Sequence, residues 1–589
     1  MQSDFLPDHP SLVRQVLWQR GWRDSVEAEK FLNPSIQDIP LPFGKLRDVE
    51  EAVKILLLAR DQKERVVIYG DYDVDGSTST ALLVRLLEDW GFDVRFFIPH
   101  RIEDGYGLTV KGIEKMLSRI ADVKVVVTVD NGISSFEGVD FLKQRGIRVI
   151  VTDHHEPSAQ RVAADAVLNP RQKNCLYPDK NLAGVGVAFL LAIALRRALG
   201  IRDHSLQPSL DLVAVGTVCD LAQLTGVNRM IVKTALPRLL QSSFLGLRVL
   251  ASRSPSGEAL RPLRAKDLGF FVGPRLNAAG RVGEPDWGVQ CLLAQDPVEA
   301  IRWADKLEIE NQRRRDLQDS QVAQAERVAS EFSAPDVYLV KSEDFHLGIV
   351  GLVASRLTEK YRKPSCVLTR LVDEHELAFH PESTQGLWKG SLRAPQGYHL
   401  AAALDWMKLQ DPSLLKSAGG HALAAGVAVE EGRVSDFEDL LPEAIRVTRQ
   451  GPIVNDAAEF ELESMEHILE GIDILEPFGQ GFASPRVSLK GFVLEQAQVM
   501  KEVHLKLWGV FKGQRIGVLQ FRSPWAKLAD KALKKSAEID LIAEVGENWW
   551  NGRRTAEFHL KEITALKSQG SWLDVSATIA ENSDAQRAS

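Results

Sequence analysis

The sequence predicts an α/β multidomain protein: a parallel-sheet domain, a long connector helix, a second α/β domain and a C-terminal β-barrel. Three patterns carry that expectation. β-Branched runs alternate with helical segments between Val53 and about Val151, as in a parallel sheet covered on both faces. A highly charged helical stretch runs from Asp296 to Phe332, too polar all round for a core element. From about Asp456 the apolar residues recur at every second position, the period of barrel strands. At 589 residues the chain is too long for one core, so several domains are expected.

Residues 1–50 read as an N-terminal helical segment, with "RGWRDSVEAEKFLNPS" stopping at Asn33–Pro34. Residues 51–295 form the first α/β domain with a helical extension. There "RVVIYG" precedes "TALLVRLLEDWG", "VKVVVTV" precedes "FEGVDFLKQRG", and "RVIVT" closes the series. The apolar run "LAGVGVAFLLAIAL" is 14 residues long, too short to span a bilayer, and reads as a buried helix. The connector, 296–334, starts with Asp296 as N-cap, Pro297 at the first helical position and Glu299 reaching back. "PDVYLVKSEDFHLGIVGLVASRLTEKYRKPSCVL" opens the second α/β domain, 335–451. The barrel, 452–567, holds "HLKLWGVF", "QRIGVLQF", "IDLIAEV" and "TAEFHLKEI". The tail, 568–589, is rich in Ser, Ala and Asp and is expected to be disordered.

Apolar content of 44% and charged content of 26% describe a soluble globular protein. A net charge of −8 excludes a basic footprint over the whole molecule. Any polyanion must be held by local patches or by metal ions. Cys175, Cys219, Cys291 and Cys366 form no CxxC pair, which fits a reducing compartment and excludes a zinc ribbon or a disulfide framework. "MQSDFLPDHP" lacks the basic start and apolar core of a signal peptide. A cytoplasmic protein without a membrane partner is expected.

The chemistry gathers at the strand ends. "VVIYG" leads into Asp71, Asp73 and Asp75; "VVVTV" into Asp130; "VIVT" into Asp153, His154 and His155. A further apolar run, "LDLVAVGTVCD", delivers Asp220. Open parallel sheets bind ligands outside the carboxyl ends of their strands. Oxygen ligands with one or two imidazoles suit Mn²⁺ or Mg²⁺ better than Zn²⁺. The excess of carboxylates suggests two ions, spaced ~3.5–4 Å as in phosphodiester hydrolysis. One Asp after a strand is ordinary turn chemistry; acids and histidines at three successive strand ends are not.

"GDYDVDG", "VDNG", "TDHH" and "GTVCDL" resemble, in order, the metal-site motifs of the DHH phosphoesterase family. "PHRIEDGYGL", "GPRLNAAGR", "HLGIVGLVASRL" and "SAGGHALAAG" narrow the resemblance to the RecJ type, and it covers nearly the whole chain. The family implies a single-stranded-DNA-specific 5′→3′ exonuclease of DNA repair and recombination, releasing 5′-mononucleotides. It implies a DHH domain, a DHHA1-like substrate-binding domain and an OB-type barrel. Asp71, Asp73, Asp75, Asp130, His154 and Asp220 would then form a binuclear metal site. Asp130, on the middle strand end, would bridge; which two of Asp71, Asp73 and Asp75 touch metal stays open. His155 would hold or protonate the phosphate, with Asp153 a partner for a histidine. Hydrolysis needs no side-chain nucleophile, and Cys219 lies in an apolar run without a partnered base.

End polarity implies a terminal-phosphate pocket, for which the resemblance points to Arg101, Ser391 and Arg393. Leu392 and Ala394 depart there from the usual Gly-Ser-Gly-Arg-Ser. Arg275, Asn277 and Arg281 would meet phosphates, as would Gly419, Gly420 and His421, with His346 facing the nucleic acid. In the barrel, Arg553 and Arg554 are expected to hold single-stranded DNA, with one or two of Trp508, Trp549 and Trp550 stacking on bases at about 1–3 kcal/mol each. Phe482 replaces the family's usual Asn. Family partners are a single-strand-binding protein and a helicase, and a monomer is the default because no heptads occur. One rival is a DHH phosphodiesterase acting on short oligonucleotides or cyclic dinucleotides, which would generally lack the connector, "GPRLNAAGR" and the barrel. The other is a non-catalytic DNA-binding relative, which would have lost metal acids; none is missing.

Overall fold

A computed structural model describes residues 4–329, 336–371, 386–451, 459–521, 523, 526, 537–550, 552–568 and 571–574. The first sheet contains β1 (Arg65–Gly70), β2 (Val94–Phe97), β3 (Val123–Val129), β4 (Arg148–Thr152) and β5 (Ala166–Leu168), all parallel in the order β2-β1-β3-β4-β5. Successive side chains point to opposite faces. Val66, Ile68 and Val125 therefore enter one helix-covered core, and Val67, Tyr69 and Val126 enter the other. Both faces are dry, which is why these strands read as unbroken apolar runs. The strand order reverses between β1 and β3, so the crevice at their carboxyl ends is the topological switch point of the sheet. β2 and β5 are too short to give a sequence signal of their own.

The connector helix runs from Pro297 to Ala329, with the Asp296 carboxylate accepting the N–H groups of Val298 and Glu299. Residues 330–334 of the expected connector lie outside the described residues. The helix is more than a solvated rod: Ala325 packs into a core with Val340, Phe345 and Val353. The second sheet has the order β6-β7-β8-β10-β9, built from β6 (Tyr338–Lys341), β7 (Ser365–Leu371), β8 (Leu387–Arg393), β9 (Ser417–Gly420) and β10 (Ala424–Glu430). Only its β6–β7 pair is parallel.

The third sheet holds β11 (Phe460–Glu461), β12 (Arg486–Met500), β13 (His504–Phe511), β14 (Gln514–Gln520), β15 (Glu538–Trp550), β16 (Arg553–Ser568) and β17 (Ser571–Asp574). Strands β12-β13-β14-β16-β15 close on themselves through a β12–β15 pairing and leave a five-stranded barrel. The tail expected to be disordered from 568 departs from that reading. Ser571–Asp574 pairs with β16 as an edge strand, one side of its backbone bonded to the barrel, and 575–589 lies outside the described residues.

The N-terminal segment belongs physically with the barrel. Leu12, Leu17 and Leu32 share a core with Ile472, Phe492 and Phe558, and Arg20 pairs with Glu459 at 2.8 Å. Arg229 joins that unit to the first domain. Its buried guanidinium donates to the carbonyls of Phe31, Leu475 and Pro477 and lies over the rings of Phe31 and Phe482. Among the described residues no helix is long and apolar enough to cross a membrane.

Candidate active site

β1 ends at Gly70, and the chain turns directly into the helix Val74–Asp89. Asp73 caps that helix by accepting the Gly76 N–H at 3.0 Å. A Cβ on Gly76 would stand 2.4 Å from the Asp71 carbonyl oxygen, so this tight turn admits only glycine. Asp75 is 1% exposed, and its carboxylate accepts the N–H groups of Gly184 at 2.6 Å and Val185 at 2.8 Å. Those groups begin the helix Gly184–Ala198. The apolar run that reads from sequence as a plain buried helix thus aims its positive N-terminus at the acid cluster.

Asp130 follows β3 at φ +61°, a left-handed conformation that costs a non-glycine residue about 1–3 kcal/mol. β3 lies between β1 and β4, so Asp130 sits centrally. The His154 Nε2 atom lies 3.1 Å from Asp130 Oδ1 and 3.9 Å from Asp75 Oδ2, and its Nδ1 lies 3.8 Å from Asp220 Oδ2. Asp220 arrives from a helix, Leu210–Cys219, rather than from a strand. Three overlapping sets of ligand atoms lie within 4.8 Å: Asp130, His154 and His155; Asp75, His154 and Asp220; and Asp71, Asp73 and Asp130.

Burial, then the neighbouring acids, raises the carboxyl groups of Asp71 and Asp130 well above the usual range. The same causes lift Asp75 to about 7 and Asp220 to about 9. Among the described residues, Asp71 Oδ1, Asp130 Oδ1 and His154 Nε2 are buried and make no hydrogen bond, the last two meeting only in their 3.1 Å approach. Uncompensated buried charge of this kind is unfavourable unless a cation neutralises it. The donor set of carboxylate oxygens with imidazole fits Mn²⁺ or Mg²⁺. His154 is pushed down to about 4 by burial and by His155, which leaves the neutral imidazole that a metal requires.

His155 behaves oppositely. Burial alone would depress it, but the Asp153 carboxylate overrides burial and raises it to about 9. Asp153 Oδ1 lies 2.7 Å from His155 Nδ1. The carboxylate is itself fixed by the N–H groups of Ile133, His154 and His155. The hydroxyl of Tyr106 stands 3.3 Å from His155 Nε2. The Cys219 thiol is pushed far up by burial and the surrounding acids, so it is no nucleophile.

A second cluster is cationic. On β8, alternate residues face opposite ways, so Leu392 is 1% exposed in the domain core while Ser391 and Arg393 share the other face. The departure at Leu392 therefore leaves that face unobstructed. A Cβ on Gly351 would lie 2.8 Å from Arg393 Nη2 and 3.3 Å from Ser391 Oγ, so that glycine keeps the space open. Burial and then the Arg101 charge disfavour the charged forms of Arg393 and of Arg281. Arg101 lies over the Tyr72 ring at 5.1 Å, beside Asp71 and Asp73. The guanidiniums of Arg281 and Arg393 donate to the carbonyls of Gly348 and Leu392 rather than to carboxylates.

Other expected contacts resolve differently. Arg275 pairs with Glu308 of the connector and stacks on Phe271 at 3.4 Å, which makes it a latch between helices rather than a phosphate ligand. Arg554 pairs with Asp473 at 2.7 Å and Glu547 at 2.6 Å, tying the barrel to the helix Ile468–Leu475. Both were expected to be free for DNA; Glu308 takes the first, and Asp473 with the cross-strand Glu547 takes the second. Arg553 stays exposed, Asn277 is half-buried, and Gly419, Gly420 and His421 lie exposed on β9 and its turn. Trp508 lies on the barrel's outer face beneath Lys506 at 4.5 Å and Arg515 at 5.6 Å. Trp549 lies under Arg261 at 5.6 Å in the joint with the first domain. The Trp550 side chain lies outside the described residues. Sequence reasoning missed the structural demands on Gly184 and Gly351 and the Tyr106 contact, although glycine at a helix start was a visible signal.

The chain matches the family model "DHH family, N-terminal domain" over residues 65–217 and "RecJ OB domain" over residues 458–562. It is 35% identical over 588 residues to the single-stranded-DNA-specific exonuclease RecJ of Dickeya dadantii, covering 95% of this chain and 97% of that one. Against the protein of the same name from Escherichia coli it is 33% identical over 584 residues, covering 95% and 97%. The crystal structure of RecJ in complex with Mn²⁺ from Thermus thermophilus matches with a TM-score of 0.75 at 30% identity, over 95% of this chain and 76% of that one. The corresponding Mg²⁺ complex matches with a TM-score of 0.70 at 28% identity, over 96% and 76%. With identity of this level sustained along nearly the whole length, the chain belongs to the RecJ family.

Proposed function

We propose that the protein is a single-stranded-DNA-specific 5′→3′ exonuclease that releases 5′-mononucleotides, acting in DNA repair and recombination. The observation that carries the reading is a buried acid–histidine cluster beside Arg281 and Arg393, which have no carboxylate partner among the described residues, near Arg101. Asp71, Asp73, Asp75, Asp130, His154 and Asp220 would hold two divalent ions, Mn²⁺ or Mg²⁺, with Asp130 shared. Bound there, the ions polarise the scissile phosphate and activate water.

The remaining roles fall to this chain's own groups. His155, protonated at neutral pH through Asp153, donates from Nε2 to a phosphate oxygen as charge develops. Asp153 stabilises the imidazolium charge and fixes the orientation of that ring. Arg101, Ser391 and Arg393 hold the terminal 5′-phosphate by forked, charge-assisted bonds. Held there, the terminal phosphate would leave the first phosphodiester to the acid cluster. Asn277, Gly419, Gly420 and His421 line the strand's approach, and Arg553 with Trp508 serves the barrel. Free thiols at all four cysteines fit a reducing cytoplasm. A monomer supplied with strands by a helicase and a single-strand-binding protein completes the reading.

The test is a long single strand labelled at either end, incubated with Mn²⁺ and either the protein or Asp130→Ala. Mononucleotide should appear first from the 5′ label and be absent with the variant. Cutting from the 3′ end, or cutting of dinucleotides alone, would sink the reading in favour of a generic DHH phosphodiesterase.

A further inference from the structure

A cavity of about 330 Å³ lies where the first domain, the connector helix and the second domain meet. The first domain contributes His100, Arg281 and Trp287, the connector Glu310 and Arg313, and the second domain His346. We infer that this cavity receives the released 5′-mononucleotide and is its way out. The inference rests on the exonuclease reading and adds a product site to it.

Donors dominate the lining. Two guanidiniums, Arg281 and Arg313, are joined by two imidazoles. His100 and His346 each accept a backbone N–H on Nδ1, from Glu103 at 3.2 Å and Gly348 at 3.1 Å. With Nδ1 accepting, the ring proton of each lies on Nε2, which is a donor. Burial, then Arg313 and His100, disfavours the charged form of His346, so these three groups feel one another. An anion between them removes that repulsion. The acids of the lining are Glu284, exposed at the rim, and Glu310. Glu310 Oε2 lies 3.5 Å from the Arg313 guanidinium, yet it is buried without a hydrogen-bond partner among the described residues. Such an oxygen suits a base amino group or a sugar hydroxyl. A ligand with both a phosphate and hydrogen-bond donors answers the whole lining, and a nucleotide is such a ligand. The volume sits at the small end of the roughly 300–1,000 Å³ typical of small-molecule sites. It holds one nucleotide, not a strand.

Position gives the direction of travel. Arg281 lines the cavity and also senses Arg101, Tyr72 and Asp73 at the candidate active site. The barrel attaches at a different rim: just past Asp220, Leu224 donates its N–H to the Gln480 carbonyl at 2.7 Å. A strand arriving along the barrel covers the Asp220 rim. The product then leaves past Arg281 without passing the incoming DNA.

The test uses the full-length protein with Mn²⁺ and 5′-dAMP as probe. Inhibition of strand hydrolysis by dAMP and direct calorimetric binding are measured for the wild type, Arg313→Ala and His100→Ala, with Arg145→Ala as a remote charge control. Arg313 has a side chain 66% exposed, so its removal should not disturb folding. The expected result is about tenfold weaker dAMP binding in Arg313→Ala, with an unchanged first cut under single-turnover conditions. Unchanged dAMP affinity in both cavity variants would overturn the inference. A parallel rise in KM for the first cut would also overturn it, by making the cavity a site for the uncut strand. Should the wild type fail to cut DNA while dAMP binding still depends on Arg313, the exonuclease reading falls and the nucleotide site stands.

Discussion

Arg393→Ala is expected to raise KM for 5′-phosphorylated single strands by about 10–100-fold and to leave strands with a 5′-hydroxyl nearly unaffected. The magnitude follows from the surroundings of the guanidinium. Arg393 donates to the Leu392 carbonyl and has no carboxylate partner among the described residues, and its charged form is disfavoured by burial and by Arg101. A hydrogen bond to a charged group contributes about 1.5–3 kcal/mol, and each ~1.4 kcal/mol is tenfold in affinity. Deletion also relieves the repulsion from Arg101, which remains to hold the phosphate, so the lower end of the range is favoured. Arg393→Lys keeps the charge but loses the planar fork, and should fall between the two. The assay compares initial rates on 3′-labelled oligonucleotides that differ only in the 5′ terminus, with unfolding temperatures measured in parallel. An equal loss on both termini would refute the pocket, leaving Arg393 a packing partner of Gly351.

Two further outcomes follow from the charges at the site. Asp153→Asn should return His155 from about 9 towards the ordinary value near 6.5. Because a raised histidine keeps its proton until the pH passes its folded pKa, the protonated fraction at pH 8 falls from ~0.9 to ~0.03, about thirtyfold, but less than twofold at pH 6. A pH–rate profile of kcat reads this, and a loss independent of pH would mean that Asp153 only positions the ring. In chelated protein, Asp75 and Asp220 stand at about 7 and about 9, above the ~3.9 of an unfolded aspartate. Groups raised on folding contribute stability below their unfolded pKa and lose it as pH rises through the folded one. The chelated protein should therefore unfold at a lower temperature at pH 9 than at pH 5, with Mn²⁺ restoring most at pH 9. Thermal scans with and without Mn²⁺ test this, and a metal increment that does not grow with pH would contradict the charge assignment.

The parts of the site legible in the sequence are those fixed by local rules. Asp71, Asp130 and His154 each stand within two residues of a strand end, so the alternation of strands and helices already brings them to one rim. Ser391 and Arg393 came from the family resemblance alone; the structure adds that they are alternate residues of β8 on one face, which also explains why Leu392 is harmless there. Arg275 and Arg554 were not legible. A guanidinium goes to the carboxylate that tertiary packing brings near it, and Glu308 and Asp473 stand 33 and 81 residues away. The Arg275 segment was expected as a glycine-bounded loop; it is the helix Gly273–Val282, on which Arg275 and Arg281 stand six residues apart, about 240° around, so one cleft could hardly take both.

Phe482 shows why a departure from a family motif is weak evidence of lost function. Read as sequence, the loss of an Asn in a glycine-bounded turn suggests a missing nucleic-acid contact. In the fold the ring is 4% exposed, with Arg20 over it at 4.5 Å and Arg229 at 4.8 Å. It also meets Phe31 edge-on at 4.8 Å. The residues that surround it come from the N-terminal segment and the first domain, hundreds of positions away, and no local periodicity encodes their meeting. The consequence is mechanical. The barrel and residues 5–32 form one core, and Arg229 fastens it beside the loop that follows Asp220. Substitution in this joint should therefore act on how the barrel presents a strand to the acid cluster, leaving the cluster's own geometry to the switch point between β1 and β3.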